Sequence, residues 1–379
     1  MISNVSKLAL ATGMALACPL VLAQGPSAPL DKDLKISVVD VDGGAATLFL
    51  TPEGKSLLID TGWPPTMGGR RPRADATQNS PIISSADRIS AAAAALGIKK
   101  IDYLLMTHYH VDHVGGIDSL LKELPVDTFV DHGPNREMIP ENPRQAAASW
   151  PTALYPRWTA AYAGHKHLTM RVGQSLKIGS VELQFVASDG SVLPGHLSGA
   201  GESNALCAGV PQMERTGGDE NVSSLGMLIT FGKTRILDLG DLTWNKELEL
   251  LCPVNRIGKV DVYFVTGHGM DISSSPPTAA FDPLVAIMQN GPTKGGDQAV
   301  VKTVRAFPDF EGLWQAHAYV RDPELNGDPD YIANLDQQPD KANPISIEIS
   351  PAGQIKVANT RNHFSKSYTA RAAQKQAVH

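Results

Sequence analysis

The chain has 379 residues, 42% of them apolar and 19% charged, with a net charge of −6. That composition builds a sizeable core in one large or two ordinary domains. The acidic balance offers no broad basic footprint for nucleic acid.

Taken in chain order, Met1 to Lys7 is weakly positive, Leu8 to Leu22 is apolar, and Val21-Leu22-Ala23 is a small-residue cleavage site before Gln24. This reads as a signal peptide over 1–23, which directs the mature chain to the periplasm or out of the cell, with a retained anchor as the alternative. Cys18 raises lipidation, but Ala15 stands where a lipobox prefers leucine and Pro19 follows the cysteine. Residues 24–35 read as a linker, and nothing after residue 23 is apolar enough to span a bilayer. Ile36 to Asp40 and Ala46 to Leu50 read as strands around an Asp42-Gly43-Gly44 turn. A further apolar run, Ser56 to Ile59, ends in Asp60-Thr61-Gly62; Trp63 to Ser80 reads as loop, and Ala86 to Leu96 as a helix closed by Gly97.

Next comes Ile101 to Met106, a buried strand, followed by Thr107-His108-Tyr109-His110-Val111-Asp112-His113-Val114-Gly115-Gly116 and a helix over Ile117 to Leu124. Three imidazoles and one carboxylate fall within six positions, in a chain with 11 histidines. Ligands at a strand end sit on a loop held by a rigid element, and imidazole with carboxylate suits zinc or a similar divalent ion. The plainer reading is a solvated polar loop. Pro134 to Pro156 and Ser188 to Asn221 are irregular, and segments that long are usually functional or disordered; they are expected to wall a substrate pocket. His165 and His167, beside Lys166, are expected to be solvated. Cleavage at Ala23 leaves Cys207 and Cys252, which lack the spacing of a zinc site. They are either a disulfide, favoured by an oxidising compartment, or two buried thiols.

The H-x-H-x-D-H spacing resembles the metallo-β-lactamase superfamily. The rest of its pattern follows in order: the strand ending in Asp60-Thr61-Gly62, Thr234 to Asp241 ending in Gly240-Asp241, and Val260 to Gly269 ending in His268. The likeness covers residues 36 to 290. It implies an α/β fold, an αββα sandwich of two mixed β-sheets with outer helices. One domain over 36–379 would then carry insertions at 134–156 and 188–221 and a C-terminal extension at 291–379. Within the superfamily the chain is similar to the metallohydrolase domain of the competence protein ComEC and its stand-alone relatives. That likeness is carried by Val41 to Gly44, Asn221 to Leu225, Phe231 to Thr234, and Gly267-His268-Gly269 followed by Ser273-Ser274-Ser275-Pro276.

By this resemblance His108 and His110 bind a first metal, Asp112, His113 and His268 a second, and Asp241 bridges them. Asp112, His113 and Asp241 would be the catalytic group, using a metal-bound hydroxide. Asp60 would support a ligand from behind, or serve only as a turn residue. His132, His196, Asn221 and His317 are further candidates. The cofactor is expected to be zinc, two ions per chain, with one ion or manganese as alternatives. Gly267 stands where competence-type chains place a histidine, which favours a looser or lost second ion. A one-metal site of Asp112, His113, His268 and Asn221 would resemble chlorothalonil dehalogenase. The leading expectation is an exported hydrolase of an ester, lactone or phosphodiester in a small molecule. Alternatives are a β-lactamase, a hydrolytic dehalogenase, or a non-catalytic binding protein on the same fold. Fold and metal site do not specify substrate.

Overall fold

A computed structural model describes residues 32–68, 71–72, 83–141, 147–214, 218–335 and 341–371. The expected signal peptide lies outside the described residues, as does the linker up to residue 31.

Two nine-stranded sheets make up most of the strand structure among the described residues. Across the first, the strands run Ser365–Thr369, Gln354–Asn359, Ile345–Ile349, Leu34–Val38, Thr47–Leu50, Ser56–Ile59, Ile101–Leu105, Val126–Asp131 and Lys166–Thr169. Pairing is antiparallel as far as Ser56–Ile59 and parallel beyond it. Across the second they run Ser191–Val192, Val181–Ser188, Gly226–Phe231, Thr234–Asp238, Val262–Phe264, Val285–Met288, Gly312–His317 and Ile332–Asn334, with Ser175–Ile178 also on Val181–Ser188. Here too the antiparallel half gives way to a parallel half, from Thr234–Asp238 onward. The central parallel strands are buried on both faces, which is why they read as unbroken apolar runs.

Three apolar layers account for the stacking. Ile36, Phe49 and Ile59 of the first sheet meet Phe185, Ile229 and Val262 of the second in a shared core. The outer face of the first sheet buries Leu58, Leu104 and Phe129 against the helices Ser85–Ala95 and Ile117–Glu123. The outer face of the second buries Leu237, Tyr263 and Ala286 against Trp244–Leu251 and Gln298–Arg305. The order is helix, sheet, sheet, helix: the αββα sandwich.

Several boundaries differ from the sequence reading. Leu34 and Lys35 belong to a strand rather than a linker, because they pair with Ile349 and Glu348. Within Trp63 to Ser80, Met67–Gly68 and Arg71–Pro72 form a short ladder. Pro151–Tyr162 is a helix despite Pro156 inside it. Pro151 begins that helix, where a missing N–H costs nothing, and burial of Leu154 and Trp158 holds the remainder. Among the described residues of 291–371, Gly312–His317 and Ile332–Asn334 continue the second sheet, and Ile345–Ile349, Gln354–Asn359 and Ser365–Thr369 the first, with Ile345–Ile349 directly beside Leu34–Val38.

Candidate metal centre

Every parallel strand near the middle of either sheet releases a polar side chain at its carboxyl end. Asp60 follows Ser56–Ile59, the histidine cluster follows Ile101–Leu105, Asp241 follows Thr234–Asp238, and His268 follows Val262–Phe264. The two sheets therefore present these groups to one another at one end of the sandwich.

Asp60 is buried and organises the histidine loop. One carboxylate oxygen accepts the Thr107 N–H at 2.8 Å; the other accepts the Thr107 hydroxyl at 2.7 Å and faces His113 Nδ1 at 2.7 Å. With Nδ1 engaged, His113 Nε2 points forward. His268 is held the same way, its Nδ1 3.0 Å from the Gln289 carbonyl. Gly267 and His268 both take left-handed backbone, φ 61° and 57°. A Cβ at Gly267 would lie 2.6 Å from Ser273 Oγ, so a second imidazole there would have to displace that turn.

Asp112, His113, Asp241 and His268 form one buried group whose ligand atoms all lie within 4.8 Å of one another. His268 Nε2 is 3.1 Å from His113 Nε2, 3.2 Å from Asp241 Oδ1 and 3.3 Å from Asp112 Oδ2. Burial would raise the Asp112 carboxyl, but the Lys294 ammonium and the His113 ring outweigh it and hold it well below the usual range. Burial likewise opposes the charged form of Asp241, and His268 and His113 outweigh it. His113 is pushed down by burial yet held well above its ordinary value by Asp241, Asp112 and Asp60. Two carboxylates and two inward imidazole nitrogens, enclosed together, match the donor set of a divalent zinc-type ion.

The other pair of imidazoles lies beside the first, the His108 and His113 ring centroids 4.0 Å apart. His108 Nε2 is 3.0 Å from His110 Nδ1 and 4.0 Å from Asp241 Oδ2. Asp241 thus turns Oδ1 to His113 and His268 and Oδ2 to His108. Burial, with His113 and His110 adding to it, pushes His108 well below its ordinary value. Asn221 is buried beside them, and its amide oxygen has no hydrogen-bond partner among the described residues. It shares with His110, Asp112 and Asp241 a cavity of about 160 Å³ walled by Trp63, Trp150, Met270 and Ile272.

The remaining candidates are placed elsewhere. His132 is buried but turns to Glu220, 3.2 Å away, with its ring against Tyr109. His196 is exposed and bonds within its own loop, to the Leu197 carbonyl. His317 is buried in a separate group with Asp40 and Asp42, where the Arg88 guanidinium lies 3.6 and 3.4 Å from the two carboxylates. His167 is not simply solvated: it pairs with Asp131 at 2.8 Å and stacks on Tyr162.

Two charged residues of the cavity were not singled out from the sequence. Lys294 is buried, pairs with Asp112 and lies 5.5 Å from the Trp63 ring centroid. It belongs to Gly291-Pro292-Thr293-Lys294-Gly295-Gly296, which follows the apolar run Val285–Met288; the strand-end rule that locates the other groups points there too. Glu137 lies on the first irregular segment with no neighbouring signal. That segment also supplies Trp150 and Pro151 to the cavity, whereas the second contributes only Asn221 among the described residues. Cys207 and Cys252 are bridged, with Cα atoms 5.7 Å apart, and the bridge ties the second segment to the end of Trp244–Leu251 rather than to the cavity.

Residues 39–198 match the model of the Metallo-beta-lactamase superfamily. Among solved structures it is similar to the metallo-beta-lactamase fold protein YhfI from Bacillus subtilis, at 12% identity and a TM-score of 0.42, over 75% of this chain and 96% of that one. It is similar to a diphosphatase of the PhnP family at 14% identity and a TM-score of 0.36, over 75% and 94% of the two chains. The diiron beta-hydroxylase CmlA from Streptomyces venezuelae matches at 16% identity and a TM-score of 0.34; 66% of this chain is covered, but only 44% of that one. No curated protein matches the chain. Among the described residues no helix is long and apolar enough to cross a membrane.

Proposed function

We propose that the chain is an exported, zinc-dependent hydrolase of an ester, lactone or phosphodiester bond in a small molecule. The observation that carries this is the placement of Asp241, with one oxygen toward His113 and His268 and the other toward His108, at the floor of a small cavity. Zinc held there supplies Lewis acidity and brings a water's pKa toward neutrality. The protein's own groups do the rest. Asp60 and the Gln289 carbonyl hold His113 and His268 with Nε2 inward. Trp63 and Trp150 wall the cavity, and Lys294 supplies positive charge beside Asp112. The likeness to competence-type hydrolases, carried by Asn221 to Leu225 and Gly267 to Gly269, belongs to this reading.

A second reading is a one-ion site on Asp112, His113, Asp241 and His268, a closed four-member donor group among the described residues, which would leave His108 and His110 as neighbours of the ion rather than its ligands. Export is supported by the N-terminal apolar stretch and by the Cys207–Cys252 bridge, which persists in oxidising compartments.

Zinc-loaded protein should turn over bis(p-nitrophenyl) phosphate, an aryl ester or a lactone, and lose most of that activity in His110→Ala. Turnover of nitrocefin alone would move the reading to a β-lactamase. Full wild-type rates in metal-free His110→Ala would end the metallohydrolase reading. Elemental analysis separates one ion per chain from two, and an intact mass beginning near Gln24 tests export.

A further inference from the structure

The imidazoles at this centre are not all held alike. His108, His113 and His268 each turn Nε2 inward, and Nδ1 is engaged by Thr107 Oγ1, Asp60 and the Gln289 carbonyl respectively. His110 is reversed. Its Nδ1 faces His108 at 3.0 Å, while Nε2 points away and meets Glu137 Oε2 at 3.1 Å. An ionised carboxylate can only accept, so a neutral His110 must carry its proton on Nε2 and turn the Nδ1 lone pair inward.

Glu137 is itself held in place. The same oxygen, Oε2, accepts the Glu220 N–H at 3.1 Å, and the Glu137 N–H donates to Asn135 Oδ1 at 3.0 Å. Gly218 lies against the carboxylate with φ +120°; a Cβ there would come within 2.2 Å of Oε2. Glu220 closes the arrangement, its carboxylate accepting the Tyr109 N–H at 3.0 Å and the Arg136 N–H at 2.6 Å. Short stretches of both irregular segments, 135–137 and 218–221, therefore converge on the outer nitrogen of one histidine.

We propose that Glu137 is a positioning residue that fixes the tautomer of His110, and that the two irregular segments act on the metal centre through it. This rests on His108 and His110 being metal ligands. Without Glu137 the proton is free to sit on Nδ1, where it blocks that nitrogen's lone pair. Loss of such an outer partner typically weakens metal binding about 10- to 100-fold.

The test uses the full chain and Zn2+ alone, with affinity measured by competition against a chromogenic chelator. Glu137→Leu should weaken zinc binding by about 10- to 100-fold, while Glu137→Gln, whose amide oxygen accepts the same proton, should stay close to wild type. Gly218→Ala, which displaces the carboxylate without changing it, should weaken binding in the same direction. Nitrogen-15 spectra of wild-type protein should show His110 protonated at Nε2 and bound through Nδ1, a readout that requires no variant. Zinc affinity unchanged in Glu137→Leu, or a wild-type His110 bound through Nε2, overturns the role of Glu137. A wild-type chain that takes up no zinc overturns instead the ligand reading beneath it.

Discussion

Asp238 and Asp241 lie three residues apart at the end of one strand, and their surroundings assign them different work. Asp238 accepts the Gly240 N–H at 3.0 Å and is raised to about 6, chiefly by burial. Asp241 faces His113 and His268 and is held low by them against that same burial. Asp238→Asn keeps the oxygen that Gly240 needs, so it should retain activity within a few-fold. Asp241→Asn removes the carboxylate shared by both imidazole pairs and should cost two orders of magnitude or more, on the scale of a lost metal contact. The reverse ranking of rates would show the register to be wrong. Lys294 makes a second prediction at this scale. A buried ammonium on Asp112 opposes a cation at the same carboxylate, and like charges at such range repel by a few kcal/mol at an effective dielectric of about 20. Lys294→Met should therefore tighten zinc binding roughly tenfold or more, read by chelator competition; weaker binding in that variant would show that Lys294 helps to hold the ion. The four residues of the closed donor group could be named by resemblance because they fall in short motifs that follow strands, with Asp112 and His113 in the helix Val111–Val114. Glu137 could not, since nothing local marks a loop carboxylate that folds back onto a histidine 27 positions earlier.

The helix Trp244–Leu251 carries a pH-sensitive element of stability. Glu247 is fully buried, and its two oxygens accept the N–H groups of Ser274 and Ser275 at 2.9 and 2.7 Å. Burial outweighs those bonds and raises it from 4.5 to about 7. The folded state thus holds this proton more tightly than the unfolded chain does. Its contribution is complete below about pH 4.5, declines as pH rises, and is gone once pH passes about 7. A shift of that size corresponds to roughly 3 kcal/mol. Denaturant midpoints should fall between pH 5 and pH 8 in the wild type, and fall less in Glu247→Gln, which has no charge to bury. Parallel pH profiles for the two proteins would sink this account. At the same scale, the strands and the helix after Asp60-Thr61-Gly62 were readable from periodicity and caps. Pro151–Tyr162 was not, because two prolines mark a break in sequence while the burial of Leu154 and Trp158 that overrides them is a tertiary fact.

The whole molecule is closed by segments far apart in the chain. The Cys207–Cys252 bridge encloses a loop with a sequence separation of 45, and the chain-entropy estimate for a loop of that size is about 4 kcal/mol. The double replacement Cys207→Ser/Cys252→Ser should lower the denaturant midpoint accordingly and leave metal affinity near wild type, since neither cysteine borders the cavity. A large loss of zinc with unchanged midpoint would reverse that assignment. The sequence, through its resemblance to the metallo-β-lactamase superfamily, implied the sandwich class and named Asp60, Asp241 and His268 as companions of the histidine cluster, and its apolar runs placed that cluster after a strand. Those rest on local apolar runs and on ligands a few residues past them, both of which are written in short windows. Tertiary structure decided that the last described strands complete both sheets, that His132, His196 and His317 stand apart from the donor group, that Lys294 pairs with Asp112, and that Glu137 meets His110. Each of those depends on which strand ends face one another across the sandwich, a relation between residues tens to hundreds of positions apart that no local pattern encodes.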